Sequence, residues 1–283
     1  MEEKILHYVP SRGGLRDIDR SWLHYFAPFR IAPHVYMVGG NDDVCAYLLD
    51  TGRGLILIDT AMEQTVYLLV DSIHRLGFDP RDIKIILLSH YHGDHVNGCR
   101  LLAEMSGAKV WISREDEEMH QLHAEDTEPF STIPYTADAF YDNTKPIVLG
   151  RFEIHTRLTP GHTPGATSFF FKDRDEETGK EYQLAMHGGL GVGQMKPQNL
   201  AKNGLTPEAP FRFIRDCEEM AKLPVDITLP SHLNQINLWG SVPLDRMDYS
   251  PYVHAYVWPD LMQSRAEAVK EFYPERCGTG SKE

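Results

Sequence analysis

The stretch Ser89-His90-Tyr91-His92-Gly93-Asp94-His95 constrains this chain more than any other. It follows Ile83 to Leu88, a run that is apolar except for Lys84 and so reads as a largely buried strand. Four metal-capable side chains fall within six positions, in the order His-x-His-x-Asp-His. A regular strand sends alternate side chains to opposite faces, so these four can share one space only from a loop at a strand end. Imidazole and carboxylate without thiolate suit zinc, and also iron or manganese. A cluster this dense calls for further ligands from elsewhere in the chain.

Two places supply them. Gly161-His162-Thr163-Pro164-Gly165 sets a histidine in a glycine- and proline-bounded turn just before a strand. Pro230-Ser231-His232 sets another just after the strand Val225 to Leu229. Each is weak alone, since a lone histidine beside a strand is more often structural. Their common placement at strand ends is what joins them to the first cluster.

The rest of the pattern fits strands followed by helices, twice over. Strands are expected at Val35–Val38, Cys45–Leu49, Leu55–Ile58 and Ala108–Ile112, with an amphipathic helix from Val66 to Leu76 ended by Gly77. A helix is expected from about Asn97 to Met105, and Ser113 is placed to cap an acidic helix starting at Arg114. Residues 123–145 read as a long loop. Strands return at Ile147–Leu149, Phe152–Ile154, Ser168–Phe171 and Tyr182–Ala185. Thr206-Pro207 is expected to open a helix running to about Lys222, and a last helix starts near Tyr252 with an interruption at Pro259. Two β-sheets packed together with helices outside follow from that order. Repeats and linkers are missing from the sequence, so residues 1–283 read as a single domain, with 1–28 as an N-terminal extension.

Charge and targeting limit the partners. Lys and Arg number 28 against 41 Asp and Glu, giving a net charge of −13. An acidic surface repels phosphate backbones, which disfavours nucleic acid and anionic membranes and leaves a small-molecule substrate. Met1 to Leu6 lacks a basic segment leading into an apolar one, so a cytoplasmic location is expected, or a periplasmic one if a leader has been removed. The four cysteines share no CxxC spacing and read as reduced thiols.

With these residues in view, the sequence resembles the metallo-β-lactamase superfamily, subclass B3 most closely. The resemblance runs from about Ser21-Trp22-Leu23 to the last helix, and takes in Asp79-Pro80-Arg81-Asp82 and Leu223-Pro224. It implies an αββα sandwich, an α/β fold of two mixed β-sheets flanked by helices. It also implies two Zn2+ ions, one on His90, His92 and His162, the other on Asp94, His95 and His232. Asp94 would hold its metal and orient the nucleophile, a metal-bound hydroxide attacking a cyclic amide (a β-lactam) or a related carbonyl. Asp59, after the strand at 55–58, is placed either to fix an imidazole tautomer or simply to end a strand. Trp22 aligns with an aromatic near the B3 active-site mouth, and substrate contact or packing are both open.

Two departures stand out. His187 occupies the position where many superfamily hydrolases carry a metal-bridging aspartate. An outer hydrogen-bonding role, a contact to metal or substrate, and an unrelated surface residue compete for it. The loop Gly188-Gly189-Leu190-Gly191-Val192-Gly193 lacks the serines with which B3 enzymes engage a β-lactam carboxylate; it is open to an anion on its backbone, or is a flexible turn. A lactone or thioester hydrolase with the same dinuclear site is therefore the alternative. An iron-containing redox protein of the same fold is the reading from another class.

Overall fold

The computed structural model describes residues 6–10, 18–123 and 132–278. In the first half of the chain lie β1 (Phe29–Ala32), β2 (Val35–Met37), β3 (Tyr47–Asp50), β4 (Leu55–Ile58), α1 (Val66–Arg75) and β5 (Ile83–Leu87). The one-turn α2 (Gly93–Val96) follows, then α3 (Cys99–Ser106), β6 (Lys109–Ile112), α4 (Arg114–His123) and β7 (Ala139–Phe140). The second half holds β8 (Ile147–Leu149), β9 (Phe152–Leu158), β10 (Thr167–Arg174), β11 (Glu181–Met186), α5 (Ala209–Met220) and β12 (Ile227–Leu229). It closes with α6 (Leu238–Ser241), α7 (Val257–Lys270) and α8 (Pro274–Cys277).

Strands β1 to β7 form one sheet in sequence order, antiparallel from β1 to β4 and parallel from β4 to β7. The second sheet runs β12-β11-β10-β9-β8 and is antiparallel except for the β11–β12 pair. Both sheets are mixed and flanked by helices, the αββα arrangement expected.

Side-chain alternation explains why the layers stack this way. In β4, Ile56 and Ile58 face the core between the sheets, while Leu55 and Leu57 face the core under α1 and α3. All four are buried, which is why that strand reads as a continuous apolar run rather than an alternating one. On the other side, Phe169 and Phe171 of β10 enter the inter-sheet core, and Phe170 meets Trp258 of α7 edge-on at 6.0 Å.

Several boundaries depart from the sequence reading. Within 123–145, residues 124–131 lie outside the described residues, and 139–140 form the edge strand β7, too short for its alternation to be read. Helix α5 starts at Ala209 rather than at Thr206, and its first-turn proline is Pro210. Helix α7 runs unbroken through Pro259, which takes its third position, where a backbone N–H has no intrahelical acceptor to lose. In the expected N-terminal extension, Ile18–His24 form a 3-10 turn, tied down by Ser21 Oγ donating to Gln64 O at 3.0 Å. The four cysteines are free thiols.

Strands β4, β5, β9, β11 and β12 run in the same sense within their sheets. Asp59, the 89–95 loop, His162, His187 and His232 each follow the C-terminal end of one of them.

Candidate metal centre

The chain leaves β5 at Leu87 and turns at once into α2, with His92 extended at the helix N-cap (φ −61°, ψ 142°). His90 and His92 therefore sit on the loop, and Asp94 and His95 on the first helical turn. His162 and His232 arrive from the second sheet.

Outward-facing nitrogens are pinned by hydrogen bonds that fix each ring. His95 Nδ1 donates to Asp59 Oδ2 at 2.8 Å, and His162 Nδ1 donates to the Gly191 carbonyl at 3.0 Å. His232 Nδ1 donates to Asp43 Oδ1 at 3.2 Å. The Ser89 hydroxyl donates to Asp59 at 2.7 Å, so its lone pair is left to accept from His90 Nδ1 at 3.0 Å. Asp59 also accepts the Ser89 amide at 2.7 Å.

Inward-facing atoms are consequently lone pairs that face one another. His92 Nδ1 lies 3.0 Å from His162 Nε2, and His95 Nε2 lies 3.3 Å from His232 Nε2. Asp94 Oδ2 stands 3.5 Å from His95 Nε2 and 3.6 Å from His232 Nε2. His90 Nε2 is buried with no hydrogen-bond partner among the described residues. Ligands at about 2.0–2.1 Å around a tetrahedral ion are separated by roughly 3.3–3.4 Å, so these spacings fit a cation between the donors. Among the described residues, His90 with His92 and His162, and His90 with Asp94 and His95, lie close enough to share an ion, and His232 Nε2 joins Asp94 and His95 at 3.6 and 3.3 Å.

Electrostatics within the cluster follow from burial and crowding. Burial, with His162 next, pushes His92 down to about 3, and burial pushes His162 down to about 4. Burial works against the charge on Asp94, yet His95 and His232 hold its carboxyl at about 2. Burial also opposes charge on His95, but Asp94 and Asp59 carry it up to about 9. An anionic Asp94 beside neutral His90, His92 and His162 is the protonation state a divalent cation needs.

Residues that the sequence alone does not single out support the loops that carry these donors. Asp116 of α4 is buried and accepts from the Tyr91 amide at 3.0 Å, the Thr163 hydroxyl at 2.7 Å and the Gly165 amide at 2.6 Å. It thereby ties the 89–95 loop to the 161–165 turn. Asp43 is positioned by Asn41, whose Oδ1 accepts the Asp43 and Val44 amides at 3.0 and 2.7 Å. An Asn beginning a tight turn was the signal available for that loop.

The glycine loop has a packing explanation, and neither a free turn nor an anion nest is needed to account for it. A Cβ on Gly189 would stand 2.7 Å from His162 Cδ2, and one on Gly191 would stand 2.6 Å from His162 Cε1. His187 is buried, accepts the Gly189 amide on Nδ1 at 3.1 Å and meets Phe213 edge-on at 5.6 Å. It is not a surface residue, and it belongs to neither donor set. Trp22 is 58% exposed on the 3-10 turn.

Native FEZ-1 metallo-beta-lactamase from Legionella gormanii has the same fold at a TM-score of 0.80, with 30% identity over 91% of this chain and 98% of that one. The chain belongs to the metallo-β-lactamase superfamily. Its residues 39–175 match the family model described as Metallo-beta-lactamase superfamily. BJP-1, a subclass B3 metallo-beta-lactamase of Bradyrhizobium japonicum, shares this metallo-β-lactamase fold at a TM-score of 0.77 and 22% identity, covering 92% of this chain and 97% of that one. An N-acyl homoserine lactonase of Bacillus thuringiensis is 26% identical over 155 residues, 47% of this chain and 59% of the lactonase.

Proposed function

We propose that this superfamily hydrolase is a dinuclear zinc enzyme of B3 type that opens cyclic amides, β-lactams among them. The observation that carries this reading is the convergence of six metal-capable side chains, four of whose imidazoles (His90, His95, His162 and His232) already have their outward nitrogens engaged. His90, His92 and His162 would hold one ion, and Asp94, His95 and His232 the other. Bound divalent ions supply Lewis acidity toward a carbonyl oxygen and a nucleophile drawn from water near neutral pH.

The chain's own groups do the rest. Asp59 and Asp43 keep the His95 and His232 tautomers that turn Nε2 inward. Asp94, held anionic, would hold its ion and orient the attacking water. The Asp116 clamp keeps the two ligand loops in register, so that the donors need not reorganise during the reaction. His187 acts from behind, through the Gly189 amide, as an outer hydrogen-bonding residue. As part of the same proposal, residues 1–283 act as one domain on a small-molecule substrate. No helix among the described residues is long and apolar enough to cross a membrane.

A second reading, hydrolysis of a lactone or thioester on the same donors, is favoured by the 188–193 loop, which offers no hydroxyl to a β-lactam carboxylate. Assays of the zinc-loaded protein on nitrocefin, an acyl-homoserine lactone and a thioester separate the two. Turnover of nitrocefin is expected. Silence on nitrocefin with turnover of the lactone hands the site to the second reading.

A further inference from the structure

The two ligand sets proposed above differ in what stands behind them. Behind Asp94, His95 and His232 are carboxylates, with Asp59 accepting from His95 Nδ1 at 2.8 Å and Asp43 accepting from His232 Nδ1 at 3.2 Å. Behind His90, His92 and His162 are neutral groups, the Ser89 hydroxyl at 3.0 Å from His90 and the Gly191 carbonyl at 3.0 Å from His162. His92 turns Nδ1 inward, toward His162. Asp59 reaches His90 only through the intervening Ser89 hydroxyl.

A carboxylate that accepts an imidazole N–H makes the far nitrogen a stronger donor to a metal. Its charge also attracts a cation directly, and more strongly where little water intervenes. Asp59 is fully buried and the Asp43 side chain is 16% exposed, so neither charge is well screened. Counting Asp94 itself, one set carries three carboxylates in direct contact, while the other carries none.

Building on the dinuclear reading proposed above, we infer that the Asp94, His95 and His232 position is the tighter of the two and fills first. Asp43 and Asp59 are the positioning residues that set this order. The protein therefore passes through a singly loaded form in which the ion sits beside Asp94 and the three-histidine position is free to exchange.

Zinc titration of the metal-free protein against a chromophoric chelator tests this without reference to activity. Wild type is expected to take two ions in resolved steps. Asp43→Asn, a partly exposed position chosen to keep the fold, should weaken the first step about 10–100-fold and leave the second in place. His162→Ala should keep the tight step and lose the weak one. Circular dichroism of both variants confirms that they are folded. The inference is overturned if wild type takes two ions but Asp43→Asn leaves the first step untouched, or if His162→Ala loses the tight step. A wild type that takes fewer than two ions overturns the dinuclear reading, and this inference with it.

Discussion

The Asp116 carboxylate accepts the Thr163 hydroxyl at 2.7 Å, joining a helix on the first sheet to the turn that delivers His162 from the second. Burial pushes this carboxyl up, and the hydrogen bonds from Thr163, Gly165 and Tyr91 pull it back only as far as about 7. An unfolded aspartate titrates near ~3.9, so between about pH 4 and 7 the native state holds more protons than the unfolded one. Stability contributed by this group is therefore greatest below pH 4 and falls as pH rises through 7. Urea unfolding of wild type and Asp116→Asn should show their difference in stability shrinking across that window and flat above it. A difference that grows from pH 4 to 7 contradicts the assignment. Asp116→Ala, which strands three buried donors, should cost about 3 kcal/mol or more.

Asp59 holds a left-handed backbone (φ 60°) while its carboxylate takes Ser89 and His95. Asn tolerates that conformation and Ala does not, the penalty being roughly 1–2 kcal/mol. Both substitutions remove the charge behind His95, so both should weaken zinc binding about 10–100-fold. Only Asp59→Ala should add the backbone penalty to the loss of hydrogen bonds. Paired zinc titrations and urea unfolding curves resolve the two effects, and equal stability of the two variants would show the backbone to be unstrained.

The sandwich and the dense His90–His95 cluster were legible because both depend on local pattern, whereas the division of ligands between two ions rests on family resemblance. Apolar runs marked β4 and β5, and the spacing from His90 to His95 could only be a loop at a strand end. Asp116 was not legible, because Arg114-Glu115-Asp116-Glu117 reads as a solvated helix face and only tertiary packing chooses which acid is buried. The packing role of the 188–193 glycines was not legible for the same reason: their partner, the His162 ring, lies far away in sequence. Pro259 was read as a break because its position within the first helical turn was not fixed by the sequence.

Gly189→Ala should damage the centre while leaving the fold standing. Its Cβ would press on His162 at 2.7 Å, and that ring is held on its far nitrogen by Gly191. Overpacking of this kind costs about 1–3 kcal/mol. Displacing the His162 donor by about 1 Å is expected to lower turnover about 100-fold. Metal content by mass spectrometry and kcat on the best substrate provide the check. Full occupancy with unchanged kcat would show that the loop yields instead of the histidine.

Removing metal should destabilise the protein, because the inward lone pairs of His90, His92 and His162, whose imidazoles stay neutral, then meet without a cation between them. Anything that binds only the native state stabilises it by mass action, about 4 kcal/mol at a thousandfold excess over Kd. For a chain of this size that corresponds to a fall in Tm of roughly 10 °C on chelation. Zinc should restore it, and His90→Ala should blunt both the fall and the recovery. Thermal unfolding with and without chelator measures this directly, and a Tm indifferent to chelation in wild type would mean that these donors hold no ion.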